Sequence, residues 1–162
     1  MKSINKTNVC NILCALLMLA LLAVQFTPFW QCGEEMVSIG GFIWFPTDHA
    51  DLEKQLASVL QTDFAVDDML AAPIMVLLLG AVGTVLCLLK SSQPMVLLLP
   101  VACGLSGLIG YLSTPALKTG MGWQWHVVIC AAMLIVAIAG FAAWWMEKKT
   151  KQDKNKRIQG GS

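Results

Sequence analysis

The sequence predicts an all-α membrane protein: a four-transmembrane-helix bundle with both termini on the cytoplasmic side, and with an extracellular β-hairpin plus a short amphipathic helix between helices 1 and 2. Three observations carry this expectation. Apolar residues make up 57% of the 162 and charged residues only 13%, outside the usual balance of a water-soluble domain. The apolar residues gather into four runs, 9–30, 69–89, 94–113 and 123–145, and none of the four contains Asp, Glu, Lys or Arg. The basic residues segregate: of 11 Lys and Arg, only Lys54 and Lys118 fall on the side opposite Lys2, Lys6, Lys90 and the cluster from Lys148 to Arg157.

Each run is about 20 residues long, enough as a helix to cross roughly 30 Å of hydrocarbon. In lipid such a run must be helical, because only a helix satisfies its own backbone hydrogen bonds where water is missing. The first run also has the basic start and apolar centre of a cleaved leader. It continues, however, through Phe26, Phe29 and Trp30 without a small-x-small site, so a retained anchor is expected. Lys and Arg stay on the cytoplasmic side, which places both ends inside. Phe29, Trp30, Trp123 and Trp125 then mark the outer boundary, and Trp144 and Trp145 the inner one. Beyond 1–146, the membrane domain, residues 147–162 are expected to form a disordered basic cytoplasmic tail. The implied location is a cell (plasma) membrane; an acidic loop without an N-glycosylation motif suits a bacterial inner membrane.

Residues 31–68 form the one sizeable soluble segment and carry Glu34, Glu35, Asp48, Asp51, Glu53, Asp63, Asp67 and Asp68. Within it, β-forming residues flank Gly40-Gly41, which adopts the positive φ of a tight turn, so a hairpin is expected over 35–45. After Pro46, Asp48 can cap a helix whose Leu52, Leu56, Val59 and Leu60 recur at helical spacing over 49–61. Asp67 and Asp68 suit the positive end of the second long helix. The short link Lys90–Pro94 makes helices 2 and 3 antiparallel neighbours. Gly80 and Gly83 in one, and Gly104, Gly107 and Gly110 in the other, predict close packing of those two faces. Pro100 predicts a kink in the third helix.

In topology alone this order of elements is similar to the claudin-like four-span proteins. The external Trp and paired-Cys pattern of that family is absent, and the resemblance assigns no residue a role. Of six cysteines, only Cys32 lies in the external loop, so no intrachain disulfide framework is expected. Cys10 and Cys14 stand one helical turn apart, a spacing open to acylation or thiolate ligation but satisfied by packing.

The spans lack Asp, Glu, Lys and Arg, which argues against pumps, ion-coupled transporters and voltage sensors. Asn11, Gln25, Thr84 and Ser106 remain for hydrogen bonds between helices. Asp48, His49, Asp51 and His126 all fall near the external surface and form a candidate polar or metal-binding cluster. Against it, the spacing matches no metal signature, and His126 beside Trp125 fits the lipid interface. No nucleophile elbow, phosphate loop or zinc-protease motif is present, and no cofactor is expected.

The reading that best fits is a non-catalytic membrane interaction protein, an accessory or assembly subunit that meets another membrane protein, or a copy of itself, through Phe42, Ile43, Trp44 and Phe45. A homo-oligomeric channel or small-molecule transporter is the first alternative, and a membrane enzyme with an external His/carboxylate site the second. The basic tail suits anionic lipid and not nucleic acid, since its charges directly follow a span.

Overall fold

A computed structural model describes residues 6–32, 35–38, 66–113 and 120–159. The long elements are α1 (Lys6–Val24), α2 (Val66–Leu89), α3 (Leu98–Ser113) and α4 (Met121–Gln159). Four helical segments, the third including the 3-10 turn that leads into α3, are long and apolar enough to cross a membrane. α1 packs on α2, α2 on α3, α3 on α4, and α4 closes back on α1, leaving α1 and α3 as a diagonal pair that barely touches. The chain thus runs up, down, up and down, with both ends of the described chain at one end of the bundle.

Local sequence fixes where each helix stops. Pro28 has no N–H to continue α1, so the last turn tightens: Gln25, Phe26 and Thr27 donate to the carbonyls three residues back at 3.2, 3.1 and 2.9 Å. Between α2 and α3, Lys90 donates to Leu86 and Gln93 to Lys90, each at 2.9 Å, which makes the expected tight antiparallel turn. Pro94–Leu97 then form a 3-10 turn that runs straight into α3. Pro100 therefore stands in the first turn of an α-helix, where an N–H would have no intrahelical partner. The mid-helix kink expected there is replaced by the 3-10 junction; Pro73 is the proline held within a long helix.

Two further expectations are corrected. The strand Glu35–Val37 (β2) pairs backward with Trp30–Cys32 (β1), antiparallel, with Trp30 opposite Val37 and Cys32 opposite Glu35. A hairpin folding forward over Gly40-Gly41 is thereby contradicted: the backbone groups of 35–37 face the chain that has just left α1, across a link of two residues. The folded mass is all-helical, with this three-residue ladder beside it. The basic tail, expected as disordered, continues α4 as helix to Gln159. Lys, Gln, Glu and Arg cost a helix little, and the first glycine is Gly160. The expected helix over 49–61 lies outside the described residues.

Small residues set the helix separations, but not as a single α2–α3 seam. Gly80 and Gly83 lie where α2 meets both neighbours: an added Cβ would stand 3.2 Å from Leu22 and 2.7 Å from Met18 Sδ on α1, and 3.9 Å from Cys103 Sγ and 3.4 Å from Leu99 Cβ on α3. Gly104 and Gly107 face α4 at Leu134, Cys130 and His126, and Gly110 alone of the three meets α2, at Ala72. Between these contacts lies a thin core of Cys14, Met18, Leu21, Val76, Leu97, Cys103, Cys130 and Met133. Outward-facing residues such as Leu16, Leu78, Ile109 and Ile135 are equally apolar.

Both ends are fastened by backbone contacts. At the end with the termini, buried Asn11 donates through Nδ2 to the Ser91 and Gln93 carbonyls (2.5 and 3.2 Å), tying α1 to the α2–α3 turn. At the other end, the Pro28 and Phe29 carbonyls accept from Gly122 and Gly120 (2.9 and 3.1 Å), which occupies amides at the start of α4. A Cβ on Gly122 would stand 2.7 Å from the Pro28 oxygen, against backbone that cannot swing aside. Alanine would gain up to about 1 kcal/mol of helix propensity, whereas overpacking costs about 1–3 kcal/mol. Gly122→Ala is accordingly expected to lower the unfolding midpoint in detergent, while Ala139→Val, on the exposed face of α4, leaves it unchanged; equal midpoints for the two variants would disprove this account of the fastening.

Candidate functional site

The fastened end buries a polar array. His126, in the second turn of α4, is 3% exposed, so it lies inside the bundle and away from a lipid interface. Its Nε2 is 3.1 Å from the Gly107 carbonyl of α3, and its Nδ1 is 3.1 Å from Gln25 Nε2, in the turn that ends α1. Gln25 Nε2 also donates to the Leu21 carbonyl at 3.1 Å.

These contacts settle the proton positions. A carbonyl only accepts, so His126 Nε2 carries hydrogen toward Gly107; a neutral imidazole then leaves Nδ1 as an acceptor. The Leu21 carbonyl likewise requires the amide nitrogen of Gln25, whose second hydrogen is free for His126 Nδ1. Gln25 Oε1 accepts no hydrogen bond among the described residues. Gly107 permits this approach, since a Cβ there would stand 3.0 Å from His126 Nε2 and closer still to Cys130 Sγ.

Aromatic rings cover the array. Phe29, wholly buried, meets Trp123 edge-on at 4.8 Å and His126 at 5.9 Å, and Trp123 in turn meets His126 and Tyr111, each at 5.7 Å. Such edge-to-face contacts contribute about 0.5–1.5 kcal/mol beyond area burial. A crevice lined in part by Pro73, Ser106, Gly110 and His126 opens between α2, α3 and α4, with about 10 Å³ accessible to water. That holds about one water molecule and no organic substrate.

The array therefore holds three helices in register with both imidazole nitrogens engaged. With Nδ1 accepting from Gln25, the imidazole presents no lone pair to a metal or to a proton donor unless Gln25 moves, while the buried Gln25 Oε1 keeps its own. Among the described residues no three His, Cys, Asp or Glu side chains converge as a metal site. Cys14, Cys87, Cys103 and Cys130 are buried free thiols, Cys103 Sγ lying 3.7 Å from the Val76 carbonyl. Thr84 bonds back to Gly80 of its own helix at 2.7 Å.

Of the residues singled out in the sequence, Asp48, His49 and Asp51 lie outside the described residues, as do Phe42, Ile43, Trp44 and Phe45. His126 is instead joined with Gln25 and Gly107. Matching depth was the available signal: Gln25 lies near the end of the first apolar run and His126 near the start of the fourth, so antiparallel helices bring them level. Comparison of the chain with protein-family profiles, curated proteins and solved structures finds no match.

Leaving a buried donor or acceptor unpaired costs about 1–3 kcal/mol. Gln25→Leu and His126→Phe should each destabilise the bundle by that order, and the double variant by less than the sum, because neither partner is then stranded. Strict additivity would show that the two side chains do not interact. Nitrogen chemical shifts of labelled His126 should report a protonated Nε2 and a bare Nδ1; the opposite tautomer would remove the proposed hydrogen-bond directions.

Proposed function

We propose that the chain is a multi-pass membrane protein with both termini in the cytoplasm, and that it serves as a non-catalytic accessory or assembly subunit presenting residues 31–68 to a partner on the outer face. The observation that supports this best is a bundle filled within and apolar without. Both imidazole nitrogens of its polar interior array are engaged by hydrogen bonds, and the water-accessible space beside that array is about 10 Å³. A conduit or substrate chamber would need more room than the crevice beside this array offers among the described residues.

Orientation rests on the basic residues. Lys90 lies in the α2–α3 turn and Lys148, Lys149 and Lys151 on the late part of α4, all at the end where α1 begins. Keeping that end in the cytoplasm avoids moving these charges across the bilayer. A bacterial inner membrane is compatible with an external segment that lacks an Asn-x-Ser/Thr site. The partner would be another membrane protein or a second copy, met through Phe42, Ile43, Trp44 and Phe45, four consecutive large apolar residues in an otherwise acidic segment.

Two experiments test this. Alkaline phosphatase inserted within 31–68 should be active and the same enzyme fused after Ser162 inactive; the reverse pattern inverts the orientation. Isolation from native membranes in mild detergent should yield a stoichiometric partner, and Phe42→Ala/Trp44→Ala/Phe45→Ala should weaken it by at least about tenfold, equivalent to about 1.4 kcal/mol. A chain that emerges alone and monomeric would sink the proposal.

A further inference from the structure

Where α4 leaves its apolar stretch, Trp144 and Trp145 are followed one turn later by Lys148 and Lys149, and then by Gln152. Residues 145, 148, 149 and 152 fall at i, i+3, i+4 and i+7, on one face of the helix. They line one side of an open surface cavity of about 320 Å³. Lys148 Nζ lies 5.2 Å from the centroid of the Trp144 ring, whose plane is set against Trp145 at 6.3 Å. This cation–π contact holds the ammonium beside the cavity. Glu147 is not among the residues around the cavity.

We propose that this cavity binds the phosphate headgroup of an anionic glycerophospholipid. The inference rests on the membrane reading above, which puts Trp145 and the lysines at the cytoplasmic headgroup level. The cavity is large enough for a phosphate and its glycerol stub. Two ammonium groups supply the charge, and the Gln152 amide and the Trp145 indole N–H supply neutral donors. Trp145, 64% exposed, offers its apolar face to the acyl side, as interfacial tryptophans do. Lysine acts here as a point charge toward phosphate, so selection is by headgroup charge: a phosphatidylglycerol is favoured over a phosphatidylcholine, whose trimethylammonium opposes the lysines.

The test uses the full chain in detergent, titrated with phosphatidylglycerol or phosphatidylcholine, and counts bound lipid by native mass spectrometry. Wild type should retain phosphatidylglycerol preferentially. Lys148→Gln/Lys149→Gln should lose roughly 30-fold in apparent affinity, two surface charges' worth. Lys90→Gln/Lys151→Gln removes the same charge from the same end but not from the cavity, and should retain the preference. Equal losses in the two double variants would mean a diffuse basic surface and overturn the site. So would undiminished binding in the first variant, or displacement of the lipid by glycerol phosphate or inorganic phosphate, which would make the ligand a soluble phosphate. Carbonate extraction of the wild type separates the two readings: a chain that is extracted fails the membrane reading, whereas one that stays embedded without lipid preference fails the headgroup site alone.

Discussion

Inside and outside, this bundle is made of the same material, and that constraint governs the rest of the structure. Leu, Val, Ile and Met occupy both the core and the outward faces. In the lipid setting proposed for it, burying an apolar face gains nothing over leaving it against acyl chains. Apolar burial therefore cannot decide which face of each helix turns inward. Two other things can: how closely backbones approach, and where the few polar side chains find partners. Gly83 over Met18 and Gly107 over His126 set the first. Asn11 on the α2–α3 turn and Gln25 on His126 set the second.

The polar contacts lie near the two ends and leave the middle to small residues and thiols. Polar groups at the ends are cheap to desolvate in any frayed state, and each one fixes rotation of its helix about its own axis. Asn11 and Gln25 stand 14 residues apart on α1 and the turn that ends it, close to four helical turns, so they project from the same side. Together they commit one face of α1 to the interior. His126 then commits α4, and its bond to Gly107 commits α3. α2, which contributes no side-chain hydrogen bond to another helix among those described, is placed by Gly80, Gly83 and the short turn at Lys90.

How much of this was legible beforehand follows from the range of each interaction. The spans are local properties of composition, and the four long helices fall on the four uncharged runs. Strand pairing and glycine partners are not local. Residues 35–37 pair with 30–32 across a two-residue link, a partner the Gly40-Gly41 turn signal did not point to. The glycines announced close approach without naming the neighbour, and for four of the five the nearest neighbour lies on α1 or α4, although Gly80 and Gly83 also meet α3. Gln25 and His126 are 101 residues apart, and only the antiparallel return of α4 onto α1 levels them. His126 looked interfacial because tryptophans such as its neighbour Trp125 favour the interface; in the structure Trp125 is exposed and His126 buried, since a helix turns about 100° per residue, which suffices to send neighbours to opposite environments.

The same geometry bears on how residues 31–68 are presented. Phe29 belongs to the interior on two counts, through its ring against Trp123 and His126 and through its carbonyl on Gly120. The next residue, Trp30, begins β1. The start of 31–68 is thus joined directly to the residue that covers the polar array. A change at His126 or Gln25 that let Phe29 shift would move the start of that segment with it, so the interior hydrogen bonds and any partner met outside would be coupled through a single covalent step. A scaffold whose task is to hold a loop in place would be built this way, with specific polar contacts joined directly to the residue from which that loop starts.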